Sequence, residues 1–353
     1  MHPLPIHGRG VASNPANRFE PIAYEADDEF SDEERPSPRT VFLRDASRSA
    51  LTRNQSPDVG FEISLNPYRG CEHGCAYCYA RPYHEYLGFS AGLDFESKIL
   101  VKEDAPALLR EELAAPRWKP QTVVMSGVTD CYQPVERKLR LTRRCLEVLA
   151  DFRNPVAIIT KNHGVTRDAD VLAELAGHGA AAVCLSVTSL DPEIQRRMEP
   201  RTATPARRLD AVRRLADAGI PVGVNVAPVV PGLTDHELPA ILQAAAEAGA
   251  GFAGYTVLRL PYAVKELFAD WLEQHFPDRR DKVLNRVREL RGGRLNDPRF
   301  GSRLRGEGVW AEQLRAVFRV ARDSAGIPAR RPPLSTAAFR RPETGDQLAL
   351  FAG

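Results

Sequence analysis

Long apolar runs are absent from this 353-residue chain, and no run approaches the length that a membrane-spanning helix requires. The first residues, 1–5, also lack the basic segment followed by an apolar segment that is typical of a secretory signal peptide. We therefore expect a cytoplasmic protein with no membrane partner, in a reducing compartment that keeps thiols available for chemistry.

Cysteine is scarce: the chain contains six, and none follows Cys184. Disulfide bridges are not expected in a cytoplasmic protein. Zinc modules usually combine two short ligand clusters some distance apart, and the sequence has no second cluster. The formal net charge is only +2, so the overall charge indicates no particular partner.

Half of the cysteines lie in one short run, as Cys71, Cys75 and Cys78. Three thiolates with the spacing Cys-x3-Cys-x2-Cys can bind three corners of a cubane iron–sulfur cluster, which leaves the fourth iron without a protein ligand. An open metal position is where catalytic chemistry takes place. His73, inside the same run, makes a zinc site the alternative. The spacing favours the cluster.

Charge is distributed unevenly along the chain. Residues 25–34 include seven Asp or Glu, whereas residues 277–353 carry 17 Arg or Lys against 9 Asp or Glu. A basic C-terminal part is suited to contact a phosphate backbone. An ordinary solvated, Arg-rich helical surface explains the same composition, so both interpretations remain open.

The composition and periodicity divide the chain into four parts. Residues 1–40 are acidic and Pro-rich, which predicts a disordered tail. Residues 41–276 alternate between strand-like and helix-like segments, which is typical of a parallel sheet covered by helices. We expect residues 277–325 to form a basic helical extension and residues 326–353 a flexible tail. The predicted strands are 61–65, 122–126, 156–160, 181–186, 222–226 and 251–258. Six strand–helix units are too few for a complete eight-fold barrel, so a partial barrel or an open sheet fits.

The cysteine run has Tyr77 just before its last thiol and follows the strand-like segment 61–65. It resembles the signature of the radical S-adenosylmethionine (radical SAM) superfamily. This resemblance covers roughly residues 60–276 and implies an α/β fold of the partial (β/α)6 TIM-like barrel type. It also implies that Cys71, Cys75 and Cys78 bind a 4Fe-4S cluster and that S-adenosylmethionine is a second cofactor.

The resemblance also implies a reaction. Enzymes of this superfamily cleave S-adenosylmethionine reductively to methionine and a 5′-deoxyadenosyl radical, which abstracts hydrogen from a substrate. The implied partner is an electron donor such as flavodoxin or ferredoxin.

Polar residues follow several of the predicted strands. Because the carboxyl ends of barrel strands meet on one face, we expect these side chains to surround the cofactor. A cation such as Lys161 suits the methionyl carboxylate, Ser186 a hydroxyl contact, and Tyr77 a contact with the adenine. The other predicted cofactor contacts are Ser126, Asp130 and Asn225.

Within the superfamily, the chain resembles the branch related to spore photoproduct lyase, often labelled DNA repair photolyase. Four segments carry this resemblance: 64–71, 75–79, 129–134 and 199–201. It implies that Tyr77 and Tyr79 form a hydrogen-transfer relay, although both residues can equally be packing aromatics. The lyase also uses a cysteine near the end of the second strand. Cys131 is the thiol near that position here and is therefore the third candidate catalytic residue. Its offset from the preceding strand differs from that in the lyase.

The end of the chain is apolar although the tail before it is polar. Gln347, Leu348, Leu350 and Phe351 resemble the short peptide that docks on the bacterial DNA polymerase sliding clamp. The three apolar side chains would fill a groove, and the glutamine would form a hydrogen bond at its edge. The alternative is a terminal strand or helical turn that folds back on the domain. Clamp docking would favour a DNA substrate.

Three hypotheses of function follow. The first is a radical SAM enzyme acting on nucleic acid, in DNA repair or modification. The second is a radical SAM enzyme, lyase-like or otherwise hydrogen-abstracting, whose substrate is a small metabolite or a protein side chain. The third is a non-enzymatic electron carrier or a zinc-binding module, for which six strand–helix units around one metal site would be unusual.

Overall fold

The computed structural model describes residues 4–20, 37–331 and 333–342. Within these ranges the chain forms ten strands: β1 (Val41–Arg44), β2 (Leu51–Arg53), β3 (Ile63–Leu65), β4 (Tyr68–Arg69), β5 (Lys98–Val101), β6 (Val123–Met125), β7 (Val156–Thr160), β8 (Ala181–Ser186), β9 (Val222–Val229) and β10 (Ala253–Val257). The same ranges contain twelve α-helices: α1 (Leu93–Ser97), α2 (Ala105–Ala114), α3 (Glu136–Leu139), α4 (Leu141–Asp151), α5 (Ala169–Gly177), α6 (Pro192–Met198), α7 (Pro205–Asp217), α8 (Leu238–Glu247), α9 (Val264–His275), α10 (Pro277–Glu289), α11 (Ser302–Arg305) and α12 (Val309–Ser324).

The main sheet contains six parallel strands in chain order, from β3 and β6 through to β10, with β2 paired antiparallel to β3 at one edge. At least one helix separates each parallel strand from the next, and α9 follows the last. The predicted α/β fold with six strand–helix units is therefore confirmed. A smaller sheet joins β1, β5 and β4.

From β6 to β9, most residues of the parallel strands are buried, as a sheet covered by helices requires. Val123, Val124 and Met125 of β6 are all buried, which explains why these short strands are apolar runs without alternation. On α7, Val212 and Leu215 are fully buried against this core. Burial of each such side chain contributes about 1.5–3 kcal/mol to folding.

The sequence predicts one continuous helix over residues 136–150, and this prediction is wrong. Arg140 has a φ of 51°, in the left-handed region, and it separates α3 from α4. The buried carboxylate of Glu136 accepts hydrogen bonds from the Tyr68 hydroxyl (2.5 Å) and from the Thr142 N–H (3.1 Å). These two bonds hold the segment in its broken form.

The predicted disordered N-terminal tail does not extend to residues 4–20, which contact the folded domain. Arg9 and Val11 are buried, and the Asn17 amide donates to the carbonyls of Glu85 and Phe89 at 2.9 and 2.8 Å. Composition alone does not reveal that this segment packs on the domain, because polar contacts with residues far along the chain hold it in place.

The C-terminal part contains α10, α11 and α12, as expected for a helical extension. The predicted flexible tail does not include residues 333–342, because Arg340 donates to the Asp151 carbonyl (2.9 Å) and Arg341 to the Trp118 carbonyl (3.1 Å). The proposed clamp peptide, residues 347–351, lies outside the described residues. Among the described helices, none has the length and apolar character needed to span a bilayer.

Candidate active site

A cavity of about 590 Å³ lies at the carboxyl ends of the parallel strands. Its wall combines the cysteine loop with residues at or after the ends of the strands, as expected for a barrel of this type. Ten of the eleven predicted site residues line it: Cys71, Cys75, Tyr77, Cys78, Tyr79, Ser126, Asp130, Lys161, Ser186 and Asn225.

Cys131 is the exception, and the structure corrects its predicted position. The residue is fully buried in the hydrophobic core and is not part of the cavity wall. Burial and the neighbouring Asp130 raise the pKa of its thiol well above the ordinary value. Its backbone N–H donates to the Ser126 hydroxyl (2.8 Å), so Cys131 lies behind a cavity residue.

A buried ion pair contacts the backbone of the cysteine loop. Arg81 and Glu96 are both fully buried and joined at 2.6 Å. The Arg81 guanidinium also donates to the carbonyls of Cys75 (3.0 Å) and Gly92 (2.8 Å). Because one planar group binds several carbonyls, it fixes the path of the loop.

The N-terminal segment covers the same loop. The Gly10 N–H donates to the second oxygen of Glu96 (3.0 Å), and the Arg9 guanidinium donates to the Glu96 carbonyl (2.9 Å). A Cβ atom on Gly10 would fall 1.5 Å from the carbonyl oxygen of Gly74, so only glycine allows this approach.

The three cysteines of the loop lie together in the cavity wall. Burial raises the pKa of each of them, and for Cys71 the charges of Asp130 and of the other two sulfurs raise it further. Three thiolates at so short a range in an apolar setting need a cationic centre to be stable. Since all three line one cavity, these residues would hold the cluster there, and the cluster would supply an open coordination position for a ligand.

His73 does not complete a zinc site. Its ring is buried, with Nδ1 at 3.4 Å from an Asp130 carboxylate oxygen and Nε2 at 3.3 Å from the Asn162 amide nitrogen. Within the described part of the chain, no three His, Cys, Asp or Glu side chains are grouped to hold a single metal ion. His73 therefore connects the cysteine loop to neighbouring loops.

Asp130 connects the loop after β6 with the end of β7. Its carboxylate accepts hydrogen bonds from the Thr160 hydroxyl and the Lys161 N–H, both at 2.7 Å. Burial alone would raise its pKa, but His73 and these hydrogen bonds outweigh burial and lower the pKa of Asp130 to about 2. Asp130 is therefore an anion that organises the cavity wall around its own protein donors.

Tyr77 is held by a buried charge network that sequence reasoning missed. Its hydroxyl donates to Glu199, which also accepts from the Thr188 hydroxyl (2.8 Å) and pairs with the guanidinium of Arg208. Burial opposes ionisation of Glu199, yet Arg208 and Lys161 keep its pKa below the ordinary value. The ring of Tyr77 thus has a fixed place in the wall, and its hydroxyl is already hydrogen-bonded to Glu199.

Lys161 extends into the cavity beside Tyr77, with Nζ 5.9 Å from the ring centroid. Within the described residues, its ammonium group forms no hydrogen bond or ion pair. A cation that forms no direct hydrogen bond or ion pair is suited to bind an anionic ligand group.

Tyr79 occupies a different environment from Tyr77. It is 41% exposed at the mouth of the cavity, and its hydroxyl donates to the Gly127 carbonyl (2.8 Å). The guanidinium of Arg259 lies 5.3 Å from its ring centroid. Tyr77 therefore belongs to the cavity wall, whereas Tyr79 belongs to its entrance.

The remaining predicted contacts have clear positions. Ser126 has a φ of 69° directly after β6, which turns the chain at the cavity wall. Ser186 ends β8, and its carbonyl accepts from Arg208 at 2.9 Å. Asn225 on β9 also lines the cavity. All three side chains are thus placed around one space.

Comparison with known proteins agrees with this arrangement. The model of the radical SAM superfamily matches residues 65–245. The fold and the three-cysteine cavity define an enzyme of the radical SAM type, and the chain belongs to the radical SAM superfamily. Membership implies a 4Fe-4S cluster and S-adenosylmethionine as cofactors.

Relatives cover most of the chain. An uncharacterized protein of Mycobacterium tuberculosis (strain ATCC 25618 / H37Rv) is 37% identical over 289 residues, which are 80% of this chain and 82% of the relative. An uncharacterized protein of Methanocaldococcus jannaschii is 28% identical over 234 residues, which are 66% of this chain and 84% of that protein.

Among solved structures, spore photoproduct lyase complexed with dinucleoside spore photoproduct is similar to this chain, with a TM-score of 0.57. The two chains are 17% identical, and the match covers 80% of this chain and 79% of the lyase. At this identity the likeness shows a shared fold.

Proposed function

We propose that this radical SAM enzyme abstracts a hydrogen atom from nucleic acid, in DNA repair or modification. Cys71, Cys75 and Cys78 would bind the 4Fe-4S cluster, and the cavity would bind S-adenosylmethionine. One observation carries the proposal: three thiols and the polar strand ends converge on a cavity of about 590 Å³. This volume is in the range of ordinary ligand sites, roughly 300–1,000 Å³.

The cluster, when bound, supplies the electron that cleaves S-adenosylmethionine into methionine and a 5′-deoxyadenosyl radical. The residues of the chain would bind and orient the cofactor. Lys161 would pair with the methionyl carboxylate, because its ammonium group lines the cavity and forms no direct hydrogen bond or ion pair among the described residues. The ring of Tyr77 would contact the adenine, since the bond to Glu199 keeps that ring in place.

The remaining wall residues would complete the site. Ser126, Ser186 and Asn225 offer hydrogen-bonding groups around the same space, and Asp130 would keep the loop after β6 in register with Lys161. The hydrogen that the radical abstracts must come from a group at the cavity mouth. Tyr79 lies at that mouth and is therefore the better candidate for a relay than Tyr77.

The residues at the mouth favour a nucleic acid as substrate. Tyr83 is 54% exposed and lines the cavity, as do the partly exposed Tyr79 and the cations Arg53 and Arg259. Aromatic rings stack on bases, and cations bind the phosphate backbone. The solved neighbour with this fold has a dinucleoside bound, which supports the same class.

Deuterium transfer tests the substrate class. The cluster-loaded enzyme, a reductant and S-adenosylmethionine would be incubated with deuterated single-stranded DNA, deuterated RNA, a deuterated peptide mixture or a deuterated metabolite extract. We expect deuterium in 5′-deoxyadenosine only with nucleic acid. Deuterium from the peptide or metabolite fraction alone would show that the substrate is a protein side chain or a small molecule.

Two partners belong to the same proposal. The electron would come from flavodoxin or ferredoxin, and residues Gln347, Leu348, Leu350 and Phe351 would dock on the sliding clamp. A pull-down of the clamp by the full chain, with Phe351→Ala as the control, tests the second partner. Clamp binding that is lost in Phe351→Ala would support it, and equal binding by both chains would exclude this peptide as the docking site.

A further inference from the structure

A second concave site lies beside the cavity mouth. It has a volume of about 650 Å³ and is formed by α9, α10 and residues 294–298. The segment after β10 contributes to both sites, because Arg259 lines the cavity and Tyr262 lines the second site. We call this second site the basic hollow.

The charge of the basic hollow is mainly positive. Its wall contains four cationic side chains and one acidic one, and these are Lys265, Arg280, Arg288, Arg294 and Glu266. Two of the cations have acidic partners, since Lys265 lies 3.7 Å from Glu266 and Arg280 lies 3.0 Å from Asp281.

Among the described residues, the other two cations have no acidic partner. Arg288 donates to the neutral Asn285 amide oxygen (2.8 Å). The guanidinium of Arg294 has no hydrogen bond or ion pair among residues 4–20, 37–331 and 333–342. Two guanidinium groups at one concave surface match the geometry of phosphate oxygens.

Tyr262 adds an aromatic surface to the basic hollow. It is 57% exposed, and its φ of 50° places a bulky residue in the left-handed region. The guanidinium of Arg18 lies 3.7 Å from the ring centroid and covers one face of the ring. Nearby, the Asn296 amide oxygen is buried without a partner in the described structure, so an acceptor is available to a ligand.

We propose that the basic hollow is a second nucleic-acid contact, which binds the phosphodiester groups that flank the nucleotide held at the cavity mouth. This inference rests on the proposed function and extends it to a single strand that passes from the mouth across Tyr262. Arg288 and Arg294 bind the phosphates, while the edge or free face of Tyr262 and the Asn296 oxygen contact an adjacent nucleoside.

The test is binding of a labelled single-stranded DNA of about twelve nucleotides to the full, cluster-loaded chain at several salt concentrations. We compare wild type with the double variant Arg288→Ala/Arg294→Ala. Loss of two phosphate contacts should weaken binding roughly 10- to 30-fold near 0.1 M salt and reduce the salt slope by about 1.4. The matched control is Arg315→Ala/Arg319→Ala on exposed positions of α12, which should bind as wild type.

Three results would overturn the inference in different ways. If wild type binds the strand and the double variant binds it equally, with an unchanged salt slope, the hollow is not a contact and the proposed function stands. If wild type binds no nucleic acid, the proposed substrate class fails together with the hollow. If polyglutamate displaces the labelled strand as well as unlabelled single-stranded DNA does, the hollow binds anions without selectivity. This result would also overturn the inference.

Discussion

Asp58 and Arg303 form a bidentate ion pair at the mouth of the cavity. The Arg303 Nε and Nη2 atoms lie 2.7 and 2.5 Å from the two carboxylate oxygens of Asp58. The two side chains are only 10% and 14% exposed. Asp58 lies in the segment between β2 and β3, and Arg303 lies on α11, so two parts of the chain 245 residues apart enclose the same opening. This pair therefore joins the segment before β3 to α11 beside the cavity.

Replacement of Asp58 by Asn should loosen the entrance. The amide keeps the size of the carboxylate but leaves Arg303 without a counter-charge, and the paired geometry is lost. We expect faster hydrogen–deuterium exchange in residues 54–61 and 300–305, with unchanged exchange in the core strands. Glu193→Gln, which removes a fully exposed pair with Arg196, is the control and should leave exchange at the mouth unchanged.

The network beneath Tyr77 predicts an order of stabilities. Glu199→Gln leaves the buried charge of Arg208 without its partner and should lower the free energy of unfolding by about 3–5 kcal/mol. Tyr77→Phe removes one hydrogen bond and should cost about 1–3 kcal/mol. Urea unfolding of the cluster-free protein measures both. A Glu199→Gln variant as stable as Tyr77→Phe would contradict the network described here.

Asp130 predicts a dependence on pH. Its folded-state pKa of about 2 is below the ordinary value of 3.8, so its charge stabilises the fold above pH 4 and this contribution disappears as the pH falls toward 2. This difference between the two pKa values corresponds to a contribution of about 2 kcal/mol to the free energy of unfolding at neutral pH. Asp130→Asn should therefore be less stable than wild type at pH 7. The difference in free energy of unfolding between the two proteins, called the gap below, should narrow by about 1 kcal/mol near pH 3.

Urea unfolding of the cluster-free protein from pH 7 to pH 3 gives this gap directly. Asp217→Asn, at an exposed end of α7, serves as the matched control and should show no narrowing. A gap between Asp130→Asn and wild type that stays constant, or widens, as the pH falls would show that Asp130 is not held as a stabilised anion.

Gly10 predicts a link between the N-terminal segment and the cysteine loop. In Gly10→Ala the new Cβ would overlap the backbone of Gly74, so the segment must move away. We expect faster exchange in residues 4–20 and 71–81, and faster loss of iron to a chelator from the cluster-loaded enzyme. Gly60→Ala, where nothing lies within 4 Å of the new atom, should behave as wild type. Unchanged exchange in Gly10→Ala would disprove the contact.

The sequence was sufficient to predict features that depend on local patterns. The cysteine spacing singled out a loop that lines the cavity, and apolar segments separated by helical ones located the six parallel strands. Polar side chains after parallel strands must meet at one edge of the sheet, and the five residues predicted on that ground all line the cavity: Ser126, Asp130, Lys161, Ser186 and Asn225. In each case, spacing along the chain determines the position in space.

Long-range contacts could not be predicted in this way. Tyr77 and Glu199 are 122 residues apart, and Gly10 and Glu96 are 86 residues apart. Neither pair leaves a local pattern, because a carboxylate that binds a distant residue has the same appearance in the sequence as one that faces solvent. Cys131 was placed wrongly for a related reason: a loop that turns at Ser126 directs the thiol into the core, and the sequence does not show the direction of that turn.

The central claim is that Cys71, Cys75 and Cys78 bind a cluster that cleaves S-adenosylmethionine in the cavity. The most direct test is the amount of 5′-deoxyadenosine formed under anaerobic reduction by reconstituted wild type, by Cys78→Ser and by Cys145→Ser. Cys145 is a core cysteine on α4, and its variant is the matched control. We predict product from wild type and from Cys145→Ser, and none from Cys78→Ser. Absence of product from the fully reconstituted wild type, or equal product from Cys78→Ser, would contradict the claim.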